Sequence, residues 1–170
     1  MTKVLILSDS HGLRDQITEI KERHHLKHMI HCGDSELDMD AMELDGFIKV
    51  GGNTDHDTRF PEEQILTIDG LSFFVTHGHL HQVKANLMTI GYRAEEMNAK
   101  VICFGHTHIA GAEQIGEQLF INPGSIRLPR NRSEKTYAIM EFDRTDDITV
   151  TFHTVDRGDI VEELTYHASL

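Results

Sequence analysis

Short apolar blocks recur along the chain, and each runs into a small residue or turn followed by a side chain able to bind a cation. Val4–Leu7 leads into Asp9 and His11, Met29-Ile30 into Asp34, Phe47–Val50 into Asn53, Phe73–Val75 into His77, and Val101–Phe104 into His106 and His108. Apolar runs of this length bounded by Gly or Ser read as strands. On an extended segment, residues two apart point to the same side, so His106 and His108 can converge on one site.

The segments between the blocks complete the outline. Leu13, Ile17 and Ile20 recur at helical spacing with charges between them, predicting a surface helix over Leu13–His24. A strand over His28–Cys32 follows, making a βαβ unit with a right-handed crossover. A short helix near Leu37–Leu44 and a strand over Phe47–Val50 continue the alternation, which predicts a parallel sheet. Hairpins then take over. Gln64–Ile68 and Leu71–Thr76 flank Asp69-Gly70, a strong two-residue turn signal. A helix over Val83–Asn98, with Leu87, Ile90, Ala94 and Met97 as its stripe, precedes the Val101–Phe104 strand. Ala112–Ile115 and Gln118–Ile121 flank Gly116-Glu117, and Tyr137–Phe142 and Ile148–Val155 flank Arg144–Asp147. Together these predict a four-layered α/β/β/α sandwich, two mixed sheets packed face to face and flanked by helices. No linker, low-complexity tract or repeat divides the chain, so residues 1–170 are expected to form a single domain.

Charge narrows the function. The 28 acidic residues outnumber the 16 basic ones, giving −12, which excludes a general nucleic-acid binder and so a long nucleic-acid partner. A small anionic substrate remains admissible if bound cations offset that charge locally. No apolar run reaches membrane-spanning length. Val4–Leu7 behind Lys3 is too short for a signal peptide, so a cytoplasmic location without membrane association is expected. Cys32 and Cys103 lie inside strands and read as buried thiols rather than a disulfide.

In open α/β sheets, ligands gather beyond the carboxyl ends of the strands, where Asp9, His11, Asp34, Asn53, His77, His106 and His108 are all expected. Seven such side chains exceed one tetrahedral site and suit two metals sharing a carboxylate. Oxygen and nitrogen donors without thiolate favour Mn²⁺, Fe, Ni²⁺, Co²⁺ or Zn²⁺ over Ca²⁺ or Mg²⁺. Of the other histidines among the 13, His79 and His81 read equally as loop residues or as partners orienting a ligand. His24, His25 and His28 suit a helix end, His31 is structural, and His56, His153 and His167 have no supporting neighbours. Arg127, Arg130 and Arg132 surround Pro129 in a loop that either grips a phosphate or is simply exposed.

Asp9-Ser-His11, Gly33-Asp34, Gly52-Asn53, His77-Gly-His79 and Gly105-His-Thr-His108 resemble the ordered signature of the calcineurin-like metallophosphoesterases. Within that superfamily the chain is most similar to the small prokaryotic phosphodiesterase branch, which Asn122-Pro-Gly-Ser125 and the following Leu-Pro-Arg130 also resemble. The resemblance implies two divalent transition-metal ions, with Mn²⁺ the first choice. Asp9, His11, Asp34 and His108 would hold one, and Asp34 as bridge with Asn53, His77 and His106 the other. A hydroxide between the ions would attack phosphorus, with Asn53 stabilising the phosphoryl oxygens and Arg130 a further substrate contact. The substrate implied is a small phosphodiester or other phosphate ester, and the protein a homodimer or higher homo-oligomer. One departure is visible: much of the superfamily has His after the Gly-Asn motif, whereas this chain has Thr54. That leaves His79 or Asp55 as candidate acids and implies activity on activated diesters, weaker on alkyl monoesters. The same site would serve a phosphomonoesterase or nucleotidase. The superfamily also contains non-catalytic scaffold modules whose metal site has decayed, but all seven ligand positions here retain competent side chains, which favours an enzyme.

Overall fold

The first strand has apolar residues in both alternating registers, so it must be covered on both faces. In the computed structural model, which describes residues 1–170, β1 (Thr2–Leu7) directs Val4 and Ile6 into one buried cluster and Leu5 and Leu7 into another. The second cluster lies under α1 (Asp15–His24), whose Ile17 and Ile20 are fully buried. Beside β1 run β2 (His28–His31) and β3 (Phe47–Lys49), parallel to it and to each other. On its other side, β9 (Thr136–Arg144) is antiparallel, followed by β10 (Asp147–Thr154) and β11 (Tyr166–Ala168). The order in this sheet is β11-β10-β9-β1-β2-β3.

The second sheet contains β4 (Glu63–Ile68), β5 (Leu71–Thr76), β6 (Val101–Cys103), β7 (Gly111–Ile115) and β8 (Gln118–Asn122), in the order β4-β5-β6-β8-β7. Its central strands β5, β6 and β8 are parallel and its two edges antiparallel. Phe73, Val75, Val101, Cys103, Leu119 and Ile121 face the first sheet. Phe74, Ile102 and Phe120 face the opposite way, under Ile90 and Ala94 of α2 (Met88–Glu96). The layer between the sheets is the largest cluster, with 21 buried residues against 13 and 8 in the outer layers. The expected four-layered α/β/β/α sandwich is thus the observed fold.

Three elements differ from the sequence pattern. The helix expected over Val83–Asn98 is helical only over Met88–Glu96: a single 3-10 turn at His79–His81 ends in a left-handed Gln82 (φ 54), the chain turns again before Met88, and a left-handed Asn98 (φ 56) lies just past the other end. Val83 and Leu87 still pack against that cluster, which is why they mimic a helical stripe. The helix expected near Leu37–Leu44 reduces to one 3-10 turn, Met42–Leu44. Strand β11 has no counterpart in the expected pattern; Tyr166 and Ser169 tie it to Gln114 on β7, joining one edge of each sheet. No helix is long and apolar enough to cross a membrane.

His153, which shows no supporting neighbours in the sequence, stacks on Tyr137 with ring centroids 5.4 Å apart. His24 Nε2 lies 2.7 Å from the Tyr137 hydroxyl, which also accepts a hydrogen bond from Arg23 at 3.1 Å. Burial, with His153 and Arg23 nearby, pushes the His24 imidazole down to about 4. The unfolded chain therefore takes up this proton first, and His24 withdraws stability as pH falls from about 6.5 through about 4. Replacing His24 with Phe should lower the melting temperature at pH 7.5 but reduce the further loss between pH 7 and 5. Circular dichroism melts of both proteins test this; equal pH slopes would show that His24 does not titrate with unfolding.

Candidate metal centre

Parallel pairing sets the carboxyl ends of β1, β2 and β3 side by side, as it does for β5 and β6. The loops leaving these ends are stitched together by their backbones. Asp9 N donates to Gly33 O at 3.0 Å, His11 N to Asp34 O at 2.9 Å, and Gly105 N to His77 O at 3.0 Å. Each loop must turn its side chain inward immediately after the strand, and the backbone shows the consequence. Eleven non-glycine residues have positive φ, and six of them are Asp9, His11, Asp34, Glu36, His106 and His108. Left-handed backbone at a non-glycine residue costs about 1–2 kcal/mol, and such strain clusters at functional sites.

Asp9 is fully buried and lies at the centre. Its Oδ1 lies 3.0 Å from His77 Nε2, 3.1 Å from His108 Nε2 and 3.8 Å from His11 Nε2. Its Oδ2 accepts hydrogen bonds from the Ser8 hydroxyl and from His106 N. Burial alone would raise its pKa, but the hydrogen bonds from His108 and His77 outweigh it and hold the carboxyl far below the usual range. Asp34 Oδ2 lies 3.2 Å from His77 Nε2, and its Oδ1 accepts Thr54 N at 2.9 Å. There too, His77 and Thr54 overcome burial and lower the pKa. For His77, burial works downward but the two carboxylates raise it to about 9. His106 is pushed down to about 4 by burial and by the His77 and Lys84 charges.

Two groups of convergent donors result: Asp9, His11 and His108, and Asp9, Asp34 and His77. Asp9 belongs to both, whereas the family resemblance implies Asp34 as the shared carboxylate. The spacing fits a transition metal. Such an ion sits about 2.0–2.2 Å from its nitrogen and oxygen ligands, which places neighbouring donors about 3.0–3.5 Å apart. Carboxylate and imidazole donors suit the first-row divalent ions. Both thiols, Cys32 and Cys103, are buried in the core and unavailable.

The remaining candidates lie around this centre. The His106 ring packs edge-on to His77, with centroids 5.1 Å apart. Asn53 is exposed and its amide bonds to nothing in the chain, and Arg130 is likewise exposed. His79 Nδ1 faces His77 Nδ1 at 3.1 Å. Asp55, one of the two candidate acids, is committed elsewhere: its carboxylate accepts the N–H groups of Asp34, Glu36 and Gly52 at 2.7–2.8 Å.

Several residues that sequence reasoning passed over hold the centre in place. The buried Ser125 hydroxyl donates to Asp9 O at 2.7 Å and accepts Leu128 N at 2.8 Å. Asn122 Nδ2 donates to Gly105 O and to the Thr107 hydroxyl. The Asn-Pro-Gly-Ser segment, seen in the sequence only as a family likeness, thus braces the loops of Asp9 and of His106 and His108. Glu36 reaches His11 Nδ1. Its only signal in the sequence is its place two residues after Asp34.

Comparison with known proteins gives a consistent picture. Residues 2–145 match the calcineurin-like phosphoesterase superfamily domain. The Bacillus subtilis protein YsnB, described as a probable metallophosphoesterase, is 47% identical over 169 residues, covering 98% of this chain and 99% of YsnB. The Escherichia coli K12 phosphodiesterase YfcE is 34% identical over 83 residues, 49% of this chain and 41% of YfcE. A Streptococcus pneumoniae structure described as a predicted phosphoesterase superposes with a TM-score of 0.94 at 32% identity, covering 99% of this chain and 98% of that one.

Close approach of two glycines to the central carboxylates gives a direct test of the packing. A Cβ on Gly52 would overlap the Asp34 carboxylate and lie 2.8 Å from Asp34 N, and one on Gly105 would overlap Ser8 and Asp9. Gly52→Ala and Gly105→Ala should each destabilise by about 1–3 kcal/mol and reduce bound metal. Gly111→Ala meets nothing within 4 Å and should change neither. Urea unfolding and elemental analysis decide it: wild-type metal content in both site variants would refute this description of the centre.

Proposed function

The chain belongs to the calcineurin-like phosphoesterase superfamily, and from that membership we propose that it is a dinuclear metal-dependent phosphodiesterase acting on a small diester with a good leaving group. The observation that carries this reading is the convergence of Asp9, His11, Asp34, His77 and His108 at one end of both sheets. Asp9, His11 and His108 would hold one ion. Asp34 and His77, completed by His106 and Asn53, would hold the other. Asp9 is the carboxylate common to both groups of donors, whereas Asp34 Oδ2 stands 3.2 Å from His77 Nε2 and would belong to the second ion. Two such ions supply Lewis acidity toward the phosphoryl oxygens and bring the pKa of a bound water toward neutrality. Mn²⁺ is the first candidate, with Ni²⁺, Zn²⁺, Fe and Co²⁺ behind it.

The protein's own groups set the substrate preference. The exposed, unengaged Asn53 amide is free to donate to a phosphoryl oxygen. Thr54 is spent on its loop, its N–H on Asp34 and its hydroxyl on Glu36, and offers nothing to a leaving group. His79 keeps one nitrogen toward His77, and burial lowers its pKa, so at neutral pH it stands as the neutral imidazole rather than as a protonated acid. A leaving oxygen that needs full protonation is poorly served.

Chelated protein reloaded with Mn²⁺, Ni²⁺, Zn²⁺ or Mg²⁺ should cleave bis(p-nitrophenyl) phosphate faster than p-nitrophenyl phosphate, with a clear metal dependence. No turnover with two equivalents bound would instead indicate a scaffold module. Faster monoester cleavage would make it a phosphomonoesterase or nucleotidase. Asp34→Asn should lower both metal content and rate, the latter by about 100-fold or more; undiminished turnover would sink the mechanism. His79→Ala should leave p-nitrophenyl diesters almost untouched and slow those with poorer leaving groups by about 10-fold, below the range of a full general acid.

A further inference from the structure

Glu36 makes an interaction that neither the sequence pattern nor the metal-ligand set requires. Its carboxylate contacts His11 Nδ1, the ring nitrogen opposite the one directed at Asp9 and His108. The other imidazoles of the centre have weaker partners on that side. His108 Nδ1 donates to the Leu128 carbonyl at 2.7 Å, and His77 Nδ1 meets His79. Of the three, only His11 carries a carboxylate there.

The loop goes to some length to place this group. Glu36 has φ 57, strained for a residue with a side chain. It is held there by a 2.7 Å bond from its N–H to Asp55 Oδ1, and the Thr54 hydroxyl donates to its Oε2 at 3.2 Å. Thr54 stands where much of the superfamily has His. Its side chain thus supports the carboxylate behind His11, while its N–H fixes Asp34. Strain and a third carboxylate beside two buried ones both oppose this arrangement unless a cation is drawn to the centre.

We propose that Glu36 is a positioning residue. It fixes the His11 tautomer with the proton on Nδ1, aims the Nε2 lone pair at the centre, and strengthens that nitrogen as a donor to a divalent cation, with Thr54 as its support. This rests on the reading of His11 as a metal ligand. A carboxylate behind a ligating imidazole characteristically changes metal affinity by about 10–100-fold.

The test is metal affinity, measured by competition with a chromophoric chelator for Mn²⁺ and by the visible spectrum of bound Co²⁺. Glu36→Gln keeps the length and an acceptor oxygen but not the charge, and should weaken one bound equivalent by about 10–100-fold. Glu36→Gly should weaken it at least as much, yet the chelated protein should melt no lower than wild type, because glycine suits the left-handed backbone and one carboxylate fewer crowds the centre. Wild-type Mn²⁺ affinity in both variants would overturn the proposal. So would a Glu36→Gly protein whose chelated form melts well below wild type while Glu36→Gln behaves as wild type in every measurement, since that pattern belongs to a purely structural side chain. A wild-type protein that binds Mn²⁺ but cleaves no diester would count against the phosphodiesterase reading alone.

Discussion

An ionised carboxylate with no solvent exposure governs this architecture. Burying such a charge costs several kcal/mol after relaxation unless it is surrounded by donors and cations. Asp9 is so surrounded: the Ser8 hydroxyl and His106 N–H meet one oxygen, and His77 and His108 meet the other. Those partners come from the ends of β1, β5 and β6, so satisfying one charge requires that the two sheets be held in one relative position. The 21-residue apolar layer between them provides that rigidity. The main core is therefore also the device that keeps the donors convergent.

The same requirement explains the concentration of left-handed backbone at one end of the molecule. A side chain directed along a strand cannot reach a point shared with a neighbouring strand, so the loops after β1, β2 and β6 bend sharply at their functional residues. Asp9, His11, Asp34, His106 and His108 all do so. Such geometry persists only where the surroundings over-determine it. The Asp55 carboxylate and the Ser125 hydroxyl perform that task by capping groups from more than one segment, and the Asn122 amide by capping two groups of the loop that carries His106. None of the three faces the ligand cluster as a donor to it, yet each fixes the backbone that does.

This division between donors and braces marks what the sequence discloses. Five strands were legible because each combines an apolar run, a small residue or turn and a ligand-type side chain, and the sandwich followed from hairpin signals in the second half. The α2 boundary was not, because Val83 and Leu87 are buried from loops and imitate helical periodicity. Strand β11 spans three residues and exists through its edge pairing with β10, which no local pattern encodes. At the site, spacing identified the candidate ligands but misjudged Asp55, whose three N–H partners lie on segments that only the fold brings together. Glu36 was invisible for the same reason: its partner His11 is 25 positions away.

The balance of strain and charge also bears on whether this face binds a partner or performs chemistry. A surface used only for docking gains nothing from left-handed aspartate and histidine, or from carboxylates held out of water. Glycine at those φ values would relieve the strain, and a buried carboxylate such as Asp9 holds its charge only by gathering donors and cations around it. Instead the chain keeps acidic and imidazole groups, clears space for the central carboxylates with Gly52 and Gly105, and sets a further carboxylate behind His11. The strained backbone and the clustered carboxylates each disfavour the folded state, and a multivalent cation engaged by those donors offsets that cost. Natural sequences retain such locally unfavourable choices where function requires them. The physical chemistry of the loops therefore weighs toward a cation-binding centre, independently of the motif spacing that first suggested it.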